Sequence, residues 1–178
     1  MAGNCAREGE KSVSQVEVKK YVQEEYCQSS EWVNVSSIAD QLWRYLNTES
    51  VLRRIDSANQ PNKSSAEVQE TILEFARRLG FESNKEGLFS EEELALRPDY
   101  YLELDGDGII IEVERGKTTI NNMDLLDFWK YHLCSQANFL FLLVPRRLRQ
   151  NPQMTPRPEF ETVDRRAVST STTAKLCR

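Results

Sequence analysis

The stretch Arg97 to Gly116, RPDYYLELDGDGIIIEVERG, constrains the fold more than any other part of the chain. Two runs rich in aromatic and β-branched residues flank a glycine-aspartate turn, which is the composition of a β-hairpin. Closing DGDG symmetrically, with either its inner pair or all four residues in the loop, sets Asp99 opposite Glu114 and Tyr101 opposite Glu112. Strand side chains alternate, so Asp99, Glu112 and Glu114 project from one face while Ile109, Ile111 and Val113 project from the other. The isoleucines belong to a core, and the carboxylates need a different explanation.

The flanking segments say what the hairpin packs against. SSAEVQETILEFARRLGF has a serine N-cap at Ser64 or Ser65, an apolar stripe of Val68, Ile72, Phe75, Ala76 and Leu79, and a glycine stop at Gly80. Residues 122–134 read as a second amphipathic helix, carrying Leu125, Leu126, Phe128 and Trp129, and NFLFLLVP reads as an apolar strand buried on both faces. The expected class is therefore α/β, a mixed central sheet flanked by helices. Upstream, helices are expected over 13–26, 35–47 and, shorter, 49–57, with a loop at 57–65 marking a subdomain boundary. The division is a disordered 1–12, a helical region 13–60, a core 61–146 and a basic, disordered tail 147–178.

At 178 residues the chain can enclose one real core. Its longest apolar stretch, Phe139 to Val144, is too short to span a bilayer, so no membrane association is expected. MAGNCAREGEKS lacks the pattern of a secretory signal, which makes a cytoplasmic location the expectation. Cys5, Cys27, Cys134 and Cys177 have no metal-site spacing and read as free thiols. A single histidine, His132, argues against triad and dyad hydrolases and reads as a packed or interfacial side chain. Net charge is -5, although Arg146 to Arg178 holds eight basic and three acidic residues and leaves the body strongly acidic. Trp32 and Trp43 read as packing aromatics within the domain, with docking of a partner as the alternative.

Like charges on neighbouring strands destabilise a hairpin, so three carboxylates at one end call for a cation or raised pKa values. A solvated acidic face is the plain alternative. Gly116-Lys117-Thr118 imitates the end of a P-loop, but Ile111 stands where the first glycine belongs. DGDG fails as a calcium loop because Ile109 and Gly116 occupy ligand positions.

The Pro98-Asp99 pair, the turn, and Glu112-Val113-Glu114 ending an apolar strand resemble the signature of the PD-(D/E)XK nucleases, the restriction-endonuclease-like superfamily. The resemblance covers roughly Ser64 to Pro145. It implies a restriction-endonuclease-like core, Mg²⁺ or Mn²⁺ as cofactor, and nucleic acid, with DNA expected, as substrate. It implies Asp99 and Glu112 as metal ligands, the Val113 carbonyl as a further one, and an acidic residue from the preceding helix. Glu67 and Gln69 flank the helix's buried stripe and are the candidates, with Glu67 taken as the ligand. Glu114 stands where the signature has lysine, which orients and deprotonates the attacking water. Glu114 is then expected to orient that water, and Lys117 to return a positive charge. A homodimer is compatible with this reading. The alternative is a catalytically inactive member of the same fold serving as a binding or assembly module.

Overall fold

A computed structural model describes residues 15–60, 63–83, 96–105, 107–116, 118–147 and 153–171. The expected disorder of 1–12, Lys117 and parts of the tail fall outside those residues. Helices α1 (Ser30–Leu46), α2 (Glu49–Ala58) and α3 (Ser65–Arg78) are followed by strands β1 (Glu82–Ser83), β2 (Tyr100–Glu103) and β3 (Gly108–Val113). Helix α4 (Met123–Leu133), strand β4 (Phe139–Leu143) and helix α5 (Glu159–Ser171) complete the order. The class is α/β, as expected.

The start of α1 and the stop of α3 have local causes. The Ser29 side chain accepts from the Trp32 N–H and caps α1, whose buried Val35, Ile38, Leu42 and Leu46 recur at helical spacing. At the end of α3, the Gly80 N–H donates to the Arg77 carbonyl and the Phe81 N–H to the Ala76 carbonyl, the two bonds of a Schellman motif. That motif needs a left-handed residue, and Gly80 supplies it with φ +92°.

The strands form one sheet in the order β1-β2-β3-β4, antiparallel except for the parallel β3-β4 pair that α4 connects. On one face, Tyr100, Ile109, Ile111 and Val113 pack in a core with α1, α2 and α3. On the other, Ile110, Tyr101 and Leu140 meet Tyr131, Cys134 and Ala137 from α4 and the turn after it. No helix among the described residues is long and apolar enough to cross a membrane.

Several expectations need correction. The hairpin register is displaced by two residues: Tyr100 pairs with Ile111 and Leu102 with Ile109, so Asp99 comes opposite Glu112 rather than Glu114. Leu104 and Asp107 exchange backbone hydrogen bonds, which closes the end of the hairpin. An even displacement preserves which residues share a face.

Residues 15–23 are not helical. Their backbone is engaged sideways, the Val16 N–H donating to Asn47 Oδ1 (2.9 Å) and the Val16 carbonyl accepting from Trp43 Nε1 (3.0 Å). Trp43, expected to pack inside, is 38% exposed and ties this segment to α1 through its indole N–H. Strand β4 lies at the edge of the sheet and is half-buried along its length, not buried on both faces.

The tail is not disordered over 159–171. Helix α5 is held by the buried Val163, by Arg166 on both oxygens of Asp124 (2.7 and 2.9 Å), and by Glu159, which accepts from the Thr119 N–H (2.8 Å). Tyr21 also hydrogen-bonds Asp164. These long-range polar contacts are invisible to local composition.

Candidate functional site

Asp99 immediately precedes β2, behind the buried Pro98, and its side chain replaces the ladder bond that the backbone no longer makes. Oδ2 accepts from the Val113 N–H at 2.8 Å, and Oδ1 accepts from Gln69 Nε2 at 2.9 Å. The Tyr100 hydroxyl donates to the Gln69 carbonyl at 2.9 Å, so α3 is fixed to the start of β2 at both ends of one residue. Of the two helix candidates, Gln69 reaches the cluster. Glu67 pairs instead with Lys63 at 3.2 Å, one turn back along the chain.

Glu112 points away from the isoleucine core, as alternation requires, but α4 covers that face and leaves it 3% exposed. Its Oε1 accepts from Lys130 Nζ at 2.9 Å, and the same nitrogen lies 2.9 Å from Asp127 Oδ1. Glu114 is half-buried just beyond β3, where its N–H donates to the Leu143 carbonyl at 2.8 Å and extends the parallel ladder. Asp99, Glu112 and Glu114 thus share one end of the sheet, and α4 adds Asp127 and Lys130.

Burial dominates the electrostatics. Glu112 is pushed up to about 7 by desolvation, with Asp127 and Asp99 adding to the effect and Lys130 opposing it. Glu114 is also pushed up to about 7, by desolvation and then by the charge of Asp127. Desolvation raises Asp99 and Asp127 above the usual carboxylate range, against the Val113 N–H at Asp99 and Lys130 at Asp127. Burial acts to lower Lys130, yet Glu112 and Asp127 outweigh it and hold the ammonium above its ordinary value.

The donors are the hard oxygens that Mg²⁺ and Mn²⁺ prefer. Their arrangement is a different matter: among the described residues, no three acidic, histidine or cysteine side chains converge on a position that one ion could occupy. Asp99, Glu112 and Glu114 therefore share one end of the sheet without a formed ligand set, Asp99 being held by α3 and Glu112 by α4. Lys130 is the cation at Glu112.

Sequence reasoning missed Lys130 and Asp127. The apolar residues of α4 drew attention to the wrong side of the helix: Asp124 and Asp127 are fully buried, while Leu126, Trp129 and Leu133 are about half exposed. His132 is likewise exposed, its ring edge-on to Trp129 at 5.8 Å, not packed inside. The i, i+3 spacing of Asp127 and Lys130 was the available signal. No protein-family model matches the chain, and searches of curated proteins and of solved structures give no match.

Proposed function

We propose that the chain is a metal-dependent phosphodiesterase acting on nucleic acid, with DNA as the expected substrate and the Asp99, Glu112, Glu114 and Lys130 cluster as its active site. The observation that carries this reading is Lys130 Nζ, 2.9 Å from Glu112 Oε1. The resembled signature places an ammonium beside the second carboxylate, and Glu114 had removed it from the strand. Helix α4 returns it from another element. The order helix, three antiparallel strands, helix, parallel strand, with Asp99 just before β2 and Glu112 on the neighbouring β3, supports the same restriction-endonuclease-like reading.

Asp99 and Glu112 would hold Mg²⁺ or Mn²⁺, which when bound neutralises phosphate charge and acidifies a bound water. Glu114 suits the task of receiving the proton, because a general base works best with a pKa near the working pH. Lys130, whose side chain is 30% exposed, offers positive charge to a phosphate oxygen. Gln69 and the Val113 N–H fix the Asp99 carboxylate so that its orientation does not depend on substrate.

The nearly complete burial of Glu112, with Lys130 already compensating its charge, favours a second reading in which the cluster is a closed ion-pair network in a binding or assembly module. Nicking of supercoiled plasmid and cleavage of single strands, with Mg²⁺ or Mn²⁺ and Glu112→Ala as the blank, separates the two. Ion-dependent cleavage by the wild type alone supports the enzyme. Equal inactivity of both proteins leaves the module.

A further inference from the structure

Helix α4 buries Asp124 and Asp127 and turns three of its apolar side chains to solvent. Leu126 (50% exposed), Trp129 (60%) and Leu133 (48%) face outward, whereas Asp124 and Asp127 are fully buried. A helix oriented for burial alone would do the reverse, since buried carboxylates are costly and half-exposed apolar side chains contribute little. Departures of this kind concentrate at functional sites.

The two buried aspartates differ in what they do. Asp124 receives Arg166 on both oxygens and joins α4 to α5. Asp127 joins nothing of that kind. Its Oδ1 has a charge contact with Lys130 at 2.9 Å, and its Oδ2 has no hydrogen-bond partner among the described residues. It caps no helix and satisfies no backbone group, and the ammonium it contacts is the one on Glu112.

We infer that Asp127 is a positioning residue whose carboxylate holds the Lys130 ammonium against Glu112. The inference rests on reading this cluster as an active site. Lysine is a compact charge on a flexible four-carbon stem, so one acceptor leaves it free to swing. The Lys130 side chain is 30% exposed and has a route to water. A second carboxylate one helical turn back, at i, i+3, opposes that movement by giving the ammonium two anchors, each at 2.9 Å. Asp127 thereby determines where the positive charge stands relative to Asp99 and Glu114.

The test uses the full chain labelled with ¹⁵N-lysine, in which relaxation of the ammonium groups reports their order, with Lys130→Arg assigning the resonance. The expected result is a Lys130 ammonium more ordered than that of the surface residue Lys19. Asp127→Asn, which keeps the shape and removes the charge, lowers it to the Lys19 level, and Asp127→Glu restores part of the order. Unchanged order in a folded Asp127→Asn protein overturns the inference. If that variant does not fold, Glu112→Gln decides: order kept above the Lys19 level supports Asp127 as an anchor, and order reduced to that level refutes it. Plasmid nicking adds a separate arm, with kcat in Asp127→Asn reduced by roughly tenfold or more and KM unchanged. A wild type that does not nick but whose Lys130 loses order in Asp127→Asn retires the nuclease reading and keeps the positioning. An active wild type with unaltered Lys130 order does the opposite.

Discussion

Asp99 and Val113 are joined across the hairpin by a 2.8 Å bond from backbone N–H to side-chain carboxylate, at the point where the β2-β3 ladder ends. The bond fixes the carboxylate beside Glu112 and fills a donor at the end of a buried strand. Asp99→Ala should therefore cost about 2–3 kcal/mol in urea denaturation, because the Val113 N–H and the Gln69 amide both lose an acceptor. Asp99→Asn should cost about half of that. Mn²⁺ or Mg²⁺ should raise the thermal midpoint of the wild type, and the rise should largely vanish in Asp99→Asn. Equal shifts in the two proteins would remove the metal from the proposed mechanism.

Gly108 opens β3 where the chain passes closest to its neighbours. A methyl group there would meet the Gln136 carbonyl oxygen and the Tyr101 ring at distances that real side chains do not adopt. Backbone cannot withdraw as a flexible side chain can, so Gly108→Ala should destabilise by about 2 kcal/mol or more. Gly80→Ala, strained by positive φ and by a close approach only to the flexible Leu102 side chain, should cost about 1 kcal/mol. Equal denaturation midpoints for the two variants would contradict this ranking.

Arg166 and Asp124 tie α5 to α4 through a carboxylate that is fully buried. Arg166→Met leaves that carboxylate without its counter-charge and should destabilise the protein by about 2 kcal/mol, the usual figure for a broken buried pair reduced because the arginine is partly exposed. Hydrogen exchange should accelerate first in α5 and the start of α4. Uniform acceleration across the sheet would show that α5 is not a separate latch.

Glu112 and Glu114 are both raised to about 7 by burial, and Glu114, the more exposed of the two, gives a separable part of the pH dependence. Its pKa is about 7 in the fold against 4.5 for the ordinary group, so the folded chain holds the extra proton between those values. Stability should fall as pH rises from about 4.5 to 7 and stay low above that window. Glu114→Gln should reduce this slope, leaving the part due to Glu112, and exceed the wild type at pH 8 by about 1 kcal/mol, a figure discounted for the carboxylate's partial exposure, with no gain at pH 4.5. In the nuclease reading the same variant keeps nucleic-acid affinity and loses cleavage, because an amide cannot take the water's proton. A variant that cleaves as fast as the wild type would release Glu114 from its proposed role.

The elements that local pattern alone specifies were legible in the chain. The apolar stripe of α3 with its Gly80 stop, the two strand runs, and the separation of Ile109, Ile111 and Val113 from Glu112 follow from periodicities of 3.6 and 2 that need no partner to be expressed. The separation of Glu112 from Ile109 and Ile111 tolerates the wrong register, because a displacement by two residues changes the pairing and not the side. What only the tertiary structure decided is each feature set by a contact distant in sequence. Asn47 and Trp43 draw residues 15–23 out of a helix, and Asp124 with Arg166 gives the tail a helix to dock. The rotation of α4 is the decisive case. Its sequence has both an apolar and a charged stripe, and hydrophobicity alone favours burying the first. The carboxylates of the sheet reverse that choice, since a buried Glu112 needs a cation and only the charged face of α4 brings Lys130 to it.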